Sequence, residues 1–403
     1  RDQSRALSVP RAPHPAAQSG SRPGLVHAME RDELAVADWA PLHLEEVREV
    51  LQRLDPRSTV TGLSDLEMRW WSPRPMSAAA LVRRGDRELF VKRHHVAVRG
   101  PDRLRVEHRF ADHLRRRGQR VPRVLRDVEG DTVQRRGDFV YEVHEKVPGL
   151  DLYRETPSWY PYLSRSHARS AGRVLARLHG AALDFAEPAS APGVLSDSSE
   201  ILRAPDPVRA LDQLVASRPA LARSLAPRDL HGDVATHLAR PLARAAASLR
   251  RVDAQWGHGD WHPSNLSWTS AGARAQVAGV FDLALANRTS AVHDLAVALE
   301  RSVVDWLDLE HDGVRRADLS MLDALLDGYE SVRALSQVER SALADALPVI
   351  HVAFALSEVE YFCEVVRSPG NTDLAYDGYL IGHVRWFSEG PGEELLAHLR
   401  RRW

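Results

Sequence analysis

Two carboxylates and one carboxamide lie in one segment of this 403-residue chain, at a spacing that suits phosphoryl transfer. Asp260 is followed five residues later by Asn265, and Asp282 comes seventeen residues after that asparagine. A carboxylate such as Asp260 can accept the proton of an attacking hydroxyl group, and Asn265 and Asp282 offer the oxygen ligands that Mg²⁺ prefers. Phosphoryl transfer needs positioning, charge neutralisation by a metal ion and one base. We therefore predict that Asp260 is the catalytic base and that Asn265 and Asp282 are Mg²⁺ ligands.

The residues between Asn265 and Asp282 predict how the two metal ligands meet. Strand-like residues over 266–268 and 276–281 flank the turn sequence Ser-Ala-Gly at 270–272. This pattern is typical of a short β-hairpin. Because a hairpin returns the chain to the end where it began, we expect the side chains of Asn265 and Asp282 to lie at the same end.

The same segment resembles a known group of enzymes. Residues 258–265 read His-Gly-Asp-Trp-His-Pro-Ser-Asn, a hydrophobic strand ends at Asp282, and His-Asp-Leu-Ala follows at 293–296. This order is similar to the core of the aminoglycoside phosphotransferase and choline kinase-like families of small-molecule kinases. Two positions differ from the usual pattern of these families. Leu283 replaces an aromatic residue, and Thr-Ser-Ala at 289–291 replaces Gly-Asp-Pro.

The resemblance implies a protein-kinase-like fold of the α+β class, with two lobes. The N-terminal lobe would be a small antiparallel sheet with one helix, and the larger C-terminal lobe would be mainly helical. The resemblance also implies ATP as the phosphoryl donor, Mg²⁺ as the metal ion and a small molecule as the acceptor. We expect the nucleotide-binding lobe over residues 29–147, and the helical lobe with the catalytic loop and the acceptor site over 148–403.

Four residues of the sequence before the hinge are the expected nucleotide contacts. By the resemblance, Lys92 would hold the α- and β-phosphates of ATP and would pair with Glu107 on the following helix. Backbone groups near Glu145 and Val147 would bind the edge of the adenine. Composition supports the assignment of Lys92, because the chain has only one other lysine, Lys146, and uses arginine elsewhere. The planar guanidinium of arginine does not replace a compact ammonium in a tight phosphate site.

Three further polar residues, His258, His262 and Asp294, are expected to brace the catalytic loop by hydrogen bonds. This loop is the His-Gly-Asp-Trp-His-Pro-Ser-Asn segment at 258–265. For His262 a position near the leaving phosphate is the alternative. The chain contains a second His-Gly-Asp, which ends at Asp233, but Leu238 stands where the asparagine should be. We predict that this second copy is a turn or a helix cap without a catalytic role.

Hydrophobic periodicity predicts the elements around these residues. We expect strands over 68–71, 78–83, 88–93, 121–125 and 139–147, and helices over 42–54, 102–117 and 166–181, with further helices up to the C-terminus. His94 and His95 are adjacent on a predicted strand, where neighbouring side chains point to opposite faces. We therefore expect both to be surface residues, and we do not expect them to form a metal site.

The composition argues against several classes of protein. The formal net charge is −1, so no global basic field favours nucleic acid or a membrane surface. The single cysteine, Cys363, excludes an internal disulfide framework and favours a reducing cytoplasm. No uninterrupted apolar run approaches the ~20 residues of a transmembrane helix. Residues 1–28 are rich in Pro, Ala, Ser and Arg, and we expect a disordered leader or a tag there.

The sequence leaves two hypotheses for the phosphoryl acceptor. Glu358, Glu360 and Glu364 are predicted to lie on one helix with Phe354, and Glu300 is predicted to lie on another. Acidic groups beside aromatic rings suit a cationic acceptor. An amine-bearing compound such as an aminoglycoside or an amino sugar is therefore one hypothesis. Homoserine or another small alcohol is the other.

Two other classes of protein share this resemblance. A protein kinase would carry His-Arg-Asp and a segment from Asp-Phe-Gly to Ala-Pro-Glu, and this chain has neither. A non-catalytic nucleotide-binding protein of the same fold would have lost reactive residues. The five reactive positions all carry competent residues here: Lys92, Glu107, Asp260, Asn265 and Asp282. The sequence thus favours an ATP-dependent small-molecule O-phosphotransferase.

Overall fold

The structure is a computed structural model that describes residues 38–54, 66–72, 76, 78–154, 156–306 and 315–403, together with the backbone of 26–28 and 34–36. The leader predicted over residues 1–28 lies outside the described residues except for strand β1 (Val26–Ala28). This strand pairs antiparallel with β2 (Leu34–Val36).

A five-stranded antiparallel sheet forms the first lobe. Its strands are β3 (Leu66–Trp71), β4 (Ala78–Arg84), β5 (Arg87–His95), β6 (Gln134–Arg136) and β7 (Phe139–Glu145), in the spatial order β3-β4-β5-β7-β6. Gly85 turns the chain between β4 and β5 at φ +62°, a conformation that glycine adopts without steric cost. Apolar side chains of one sheet face pack against helix α1 (Leu44–Gln52).

Helix α2 (Pro101–Arg116) connects the sheet to the rest of the molecule. Proline stands at its first position, where no backbone N–H is needed, and Gly118 at φ +79° follows its end. Phe110 and Leu114 of α2 belong to the core of the helical lobe, whereas Leu104 packs under the sheet. The helix therefore fixes the position of the sheet relative to the larger lobe.

One strand predicted for this lobe is absent, and one strand that is present was not predicted. Residues 121–125 form no strand, and only Val124 makes an isolated bridge, with His144. Pro122 lacks the N–H that a sheet ladder requires, which explains the difference. Strand β6 (Gln134–Arg136) was missed because its polar sequence has no strand-like pattern, and its pairing with β7 alone defines it.

The second lobe is mainly helical. Its helices are α3 (Arg165–Ala182), α4 (Glu200–Arg203), α5 (Pro207–Ser217), α6 (Pro219–Leu225), α7 (Leu230–Asp233), α8 (Ala239–Leu249), α9 (Ala291–Val303), α10 (Leu319–Glu330), α11 (Gln337–Ala346), α12 (Val352–Glu360), α13 (Pro369–Asp373), α14 (Gly382–Trp386) and α15 (Gly390–Arg401). Wider, π-helical turns occupy Val234–Leu238, Tyr361–Val366 and Leu374–Ile381. Four short strands form two pairs, β8 (Trp256–Gly257) with β11 (Asn287–Arg288) and β9 (Leu266–Trp268) with β10 (Val277–Val280).

Helices α3 and α10 approach each other closely in the core of this lobe. A Cβ atom at Gly172 would lie 2.0 Å from the carbonyl oxygen of Leu325, and one at Gly328 would lie 2.0 Å from that of Arg169. Both glycines are therefore required by the packing of the two backbones. Helix α3 also packs against β8 and β10, the short strands before and after the predicted catalytic loop.

One helical segment, Gln337–Val366, is long and apolar enough to cross a membrane, by length and composition alone. In the fold, 94% of its most apolar window is buried inside the protein. The apolar composition is therefore accounted for by its place in the core of the helical lobe. Charged residues interrupt the segment, so it contains no uninterrupted apolar run of the length expected for a transmembrane helix.

Candidate active site

The hairpin predicted between the two proposed metal ligands is present. Asn265 ends a short 3₁₀ turn (Pro263–Asn265) and leads directly into β9, and Asp282 is the second residue after the end of β10. The N–H of Phe281 donates to the carbonyl oxygen of Asn265 at 3.0 Å. The two ligand positions therefore meet at one end of the β9–β10 hairpin, as the sequence predicted.

Asn265 is held by the catalytic loop in a way that leaves its amide oxygen available. Its Nδ2 donates to the backbone oxygen of Asp260 at 2.9 Å and to Oδ2 of the same residue at 3.0 Å. The amide oxygen then has no hydrogen-bond partner among the described residues. Together with the carboxylate of Asp282, it provides hard oxygen donors of the kind that Mg²⁺ prefers.

Asp282 adopts an unusual backbone conformation and pairs with Lys92. Its φ is +60°, which is uncommon for a residue with a side chain and recurs at functional sites. Nζ of Lys92 lies 3.2 Å from Oδ1 of Asp282. Burial alone would lower the pKa of Lys92, but the carboxylates of Asp282 and Glu142 raise it above its ordinary value. The lysine is therefore a permanent cation at the edge of the site.

Asp260 is surrounded by cationic and hydrogen-bonding groups. Its Oδ1 pairs with Nη1 of Arg301 and lies 3.4 Å from Nε2 of His262. Burial alone would raise the pKa of Asp260, but His262 and Arg301 hold it well below its usual range. Asp260 is therefore an anion at every pH at which the protein is expected to work.

The backbone of the catalytic loop is fixed by Asp294, the fourth residue of helix α9. Its two carboxylate oxygens accept the N–H groups of His258 and Gly259, each at 2.7 Å, and Oδ2 also accepts Nε2–H of His179 at 2.9 Å. Three hydrogen bonds hold the pKa of this buried carboxyl at about 2, although burial opposes the shift. Nε2–H of His258 donates to the carbonyl oxygen of Phe281 at 3.0 Å. The predicted hydrogen bonds of His258 and Asp294 are thus present.

His262 lies within the loop and is buried. Besides its approach to Asp260, its Nδ1 is bonded to the hydroxyl of Ser264 at 2.9 Å. Of the two roles that the sequence allowed for this residue, these contacts favour the bracing of the loop.

A cleft between the two lobes contains two of the four predicted nucleotide residues, Lys92 and Val147, but neither Glu107 nor Glu145. The N–H of Glu145 is bonded to the carbonyl oxygen of Arg123 at 2.9 Å, and its carboxylate pairs with Arg87. The lining residues come from both lobes: Trp70, Ser72, Ala79, Phe90, Lys92, Pro122, His144, Lys146, Val147, Gly149, Asp151, Arg154, Ser264, Asn265, Ser267, Phe281 and Asp282.

The predicted pairing of Lys92 with Glu107 is not found. Nε of Arg103 donates to Oε1 of Glu107 at 3.1 Å, and Arg99 lies 3.6 Å from its other oxygen. Both arginines also donate to the carbonyl oxygen of Ala284, two residues after Asp282. Arg103 is one turn before Glu107 on the same helix, so the two side chains lie on one face and pair with each other. In this structure Glu107 therefore braces the loop after Asp282 through the two arginines.

Glu142 is a second acidic residue beside Lys92, in addition to Asp282. It was not predicted from the sequence. It lies opposite Lys92 on the neighbouring antiparallel strand, so the two side chains share a face. Nε2–H groups of His94 at 3.0 Å and His108 at 2.8 Å donate to Glu142. The prediction that His94 lies on the surface was therefore wrong, and His95 is also partly covered, stacked on Trp39.

Arg301 is the second site residue that the sequence reading missed. It follows Asp294 by seven residues on α9, and its guanidinium lies 4.8 Å from the ring centre of Trp159 and 4.9 Å from that of Phe354. Residues seven apart on a helix share a face, so the spacing from Asp294 was a signal that could have found it. Trp159 has a φ of +61°, which makes it one of four non-glycine residues with positive φ in the described part of the chain.

The second His-Gly-Asp forms part of a helix away from this loop. Asp233 ends helix α7, and its carboxylate accepts the hydroxyl of Tyr376 at 2.7 Å. The helix cap is provided by Asp229, whose carboxylate accepts the N–H of Gly232 at 3.0 Å. The sequence predicted a turn or a helix cap, but the triplet lies within the helix and Asp233 instead binds a residue 143 positions later in the chain.

Comparison with known proteins identifies the family. The pattern of the phosphotransferase enzyme family matches residues 77–335, which is more than half of the chain. The protein therefore belongs to the phosphotransferase enzyme family, the group that its sequence resembles. The matched region includes Lys92, the catalytic loop, Asp282 and Asp294.

A homoserine kinase from Phenylobacterium zucineum (strain HLK1) is 30% identical over 197 residues, which cover 49% of this chain and 50% of that protein. The match thus spans about half the length of this relative. Two solved structures are similar in fold. A microcompartment-associated aminopropanol kinase has a TM-score of 0.54 at 17% identity, with 88% of this chain and 100% of that chain covered. An amicoumacin kinase in complex with AMP-PNP, Ca²⁺ and Ami has a TM-score of 0.52 at 13% identity, with 85% and 96% covered. The predicted kinase-like fold is confirmed.

Proposed function

We propose that the protein is an ATP-dependent O-phosphotransferase that moves the γ-phosphoryl group of ATP to a hydroxyl group of a small molecule. The observation that carries this proposal is the convergence of four reactive groups. Lys92, Asn265 and Asp282 line one cleft, and Asp260 is hydrogen-bonded to Asn265 at its edge. Family membership supports the same reaction class.

In the proposed reaction the acceptor oxygen attacks the γ-phosphorus in line with the bond that breaks. The new bond joins that oxygen to phosphorus, the bond to the oxygen that bridges the β- and γ-phosphates breaks, and ADP leaves with that electron pair. The hydroxyl proton passes to a carboxylate oxygen of Asp260. Because Asp260 already carries two hydrogen bonds or ion pairs on Oδ1 and one on Oδ2, it is held in a fixed orientation for this step.

Asn265 and Asp282 are the residues that would hold Mg²⁺. When bound, the ion would neutralise charge on the phosphate oxygens. The ammonium of Lys92, which pairs with Asp282 in this structure, is available to bind the α- and β-phosphates when nucleotide enters. Val147 is the hinge residue whose backbone would bind the adenine edge.

The acceptor that we propose is a small alcohol, not an aminoglycoside. The sequence relative is called a homoserine kinase, and one protein of similar fold is called an aminopropanol kinase. Both names denote small amino alcohols or hydroxy amino acids. We place the reaction in the cytoplasm, where ATP is abundant.

ADP release measured against a panel of hydroxy compounds would test the proposal. We expect Mg²⁺-dependent ADP release that requires an acceptor, with a phosphate monoester as the product by ³¹P NMR. The panel should include L-homoserine, 1-amino-2-propanol and an aminoglycoside. A protein that binds no nucleotide in the presence of Mg²⁺ would contradict the proposal.

A further inference from the structure

The acidic residues of the C-terminal helices differ in one respect, which is whether a nitrogen donor of a basic side chain already binds them. Three of the four named above have such a partner: Glu300 accepts Nδ1–H of His383 at 2.6 Å, Glu360 pairs with Arg218, and Glu364 pairs with Arg223 at 2.6 Å. Glu358 has no hydrogen bond or ion pair with any residue that the structure describes. It is nevertheless only 6% exposed.

The position of Glu358 on helix α12 places it beside the proposed base. Phe354 is one turn earlier, so the two side chains share a helix face. The ring of Phe354 stacks on the guanidinium of Arg301, and that guanidinium pairs with Asp260. Glu358 therefore lies near the proposed base, within electrostatic reach of both Asp260 and Arg301.

A buried carboxyl group without a partner is costly, and a cation from a ligand would remove that cost. Arg301 does not pair with Glu358, and its Nη1 pairs with Asp260 instead. Three aromatic rings pack together near Arg301, those of Trp159, Phe354 and Tyr379, whose centroids lie 5.1 to 6.4 Å apart. Aromatic rings near a carboxylate suit an ammonium group.

We infer that Glu358 binds the ammonium group of the acceptor, which is a small amino alcohol whose hydroxyl is directed at Asp260. The direction of the hydroxyl towards Asp260 rests on the proposed function. The binding of the ammonium group by Glu358 does not, because it concerns the recognition of an amine by one carboxylate. Glu358 is thus the residue that selects an amino alcohol over the corresponding diol.

Matched pairs of ligands test this selection by direct binding. 1-Amino-2-propanol carries an amine where propane-1,2-diol carries a hydroxyl group, and L-homoserine carries an amine where 4-hydroxybutanoate carries a hydrogen atom. In isothermal titration into the protein with Mg·ADP, the amine of at least one pair should bind roughly 10- to 100-fold tighter than its partner. This range is the one expected for one charge-assisted hydrogen bond. Glu358→Gln should abolish that preference.

A control variant separates recognition from a general loss of acidic charge. Glu364→Gln removes a carboxylate that follows Glu358 by six residues and pairs with Arg223 near the surface. It should leave the amine preference unchanged. If Glu358→Gln does not fold, Glu358→Asp, which keeps the charge, should retain an amine preference that wild-type protein also shows.

The pH dependence of binding gives a second readout. Burial raises the pKa of Glu358 to about 8, with Asp260 and Glu300 adding to the shift and Arg301 opposing it, and Tyr361 and Tyr379 are the other titratable neighbours. Below about pH 8 the carboxyl must lose its proton before it can pair with an ammonium. Amine affinity should therefore fall by up to tenfold per pH unit below this value, with proton release on binding. Glu358→Gln should be flat over this range.

Two outcomes would overturn the inference: amines that bind wild-type protein no tighter than their matched partners, or an amine preference that survives Glu358→Gln. The fate of the proposed function is measured separately, by ADP release. Phosphorylation without amine preference would leave the kinase proposal standing and refute the role of Glu358. Amine binding that depends on Glu358, without phosphoryl transfer, would support the role of Glu358 and refute the kinase proposal.

Discussion

As the proposed base, Asp260 is unusual because its surroundings favour the ionised carboxylate. His262 and Arg301 lower its pKa well below the ordinary range of an aspartate, against the effect of burial. Such a carboxylate cannot remove a proton from an alcohol before phosphoryl transfer begins. It can orient the hydroxyl and take the proton late, after the bond to phosphorus has formed, which is compatible with a loose transition state. We therefore regard positioning of the acceptor as its main contribution.

Replacement of the Asp260 carboxylate should strongly reduce turnover without weakening nucleotide binding. We expect Asp260→Asn to lower kcat by about 10²- to 10⁴-fold, the usual contribution of one acid–base group. Mg·ATP affinity should change by no more than a few-fold, because Lys92, Asn265 and Asp282 are retained. Steady-state kinetics and a nucleotide titration measure the two effects.

The chain provides a matched control for that experiment. Asp233→Asn alters the other His-Gly-Asp, and an amide oxygen can still accept the hydroxyl of Tyr376. Turnover should remain within twofold of wild type. A loss of activity equal to that of Asp260→Asn would reject the assignment of Asp260.

The partner of Lys92 can be identified by coupling energies. In urea unfolding, Lys92→Met and Asp282→Asn should be non-additive by roughly 1 kcal/mol, because the two residues share one ion pair. Lys92→Met and Glu107→Gln should be additive to within about 0.5 kcal/mol, because Glu107 is engaged by Arg99 and Arg103. A larger coupling to Glu107 than to Asp282 would restore the pairing that the sequence suggested.

At the scale of elements, helix α3 illustrates how two glycines of one helix differ. A Cβ at Gly172 would collide with the backbone of α10, whereas nothing lies within 4 Å of a Cβ at Gly180. We expect Gly172→Ala to lower the free energy of unfolding by about 2–3 kcal/mol. Gly180→Ala should raise it by about 0.5–1 kcal/mol, because alanine is the better helix former. Thermal or urea unfolding of both variants measures the difference, and equal effects would contradict the close packing.

Elements of both lobes also converge on the loop after Asp282. Helix α2 reaches it through Arg103, and Arg99, just before the helix, donates to the same carbonyl oxygen of Ala284. Helix α9 holds the catalytic loop through Asp294, and its N-terminus is capped by Ser290, which accepts the N–H of His293 at 3.0 Å. The reactive groups are thus supported by rigid helices, although most of them lie in loops.

For the whole molecule, nucleotide binding should stabilise the two lobes together. Lys92 comes from the sheet, and Asn265 and Asp282 come from the helical lobe. At a Mg·ATP concentration 100-fold above Kd, we expect a gain of about 2.7 kcal/mol in the free energy of unfolding. Differential scanning fluorimetry with and without Mg²⁺ measures it, and Asp282→Asn should remove the Mg²⁺-dependent part. An identical thermal shift in EDTA would contradict the metal assignment.

The sequence by itself determined the local parts of this protein. His-Gly-Asp, the asparagine five residues later and the strand that ends in Asp282 depend on short-range geometry, and a hairpin of this length brings its ends together in any context. The strands β3, β4, β5 and β7 and helices α1, α2 and α3 were likewise predicted within a few residues, because their apolar residues follow the periods of strand and helix. The absence of the asparagine after Asp233 was sufficient to separate the two His-Gly-Asp copies.

Only the tertiary structure decided which charged groups meet. Glu107 binds two arginines, Glu142 takes the place beside Lys92, and Arg301 reaches Asp260 from a helix forty residues later in the chain. The chain has 54 basic and 55 acidic residues, so almost any carboxylate has several candidate partners in the sequence. The choice among them depends on helix rotation and strand register, which are fixed when distant apolar faces pack together. For the same reason the sequence could not separate Glu358, which has no hydrogen-bond or ion-pair partner among the described residues, from Glu300, Glu360 and Glu364.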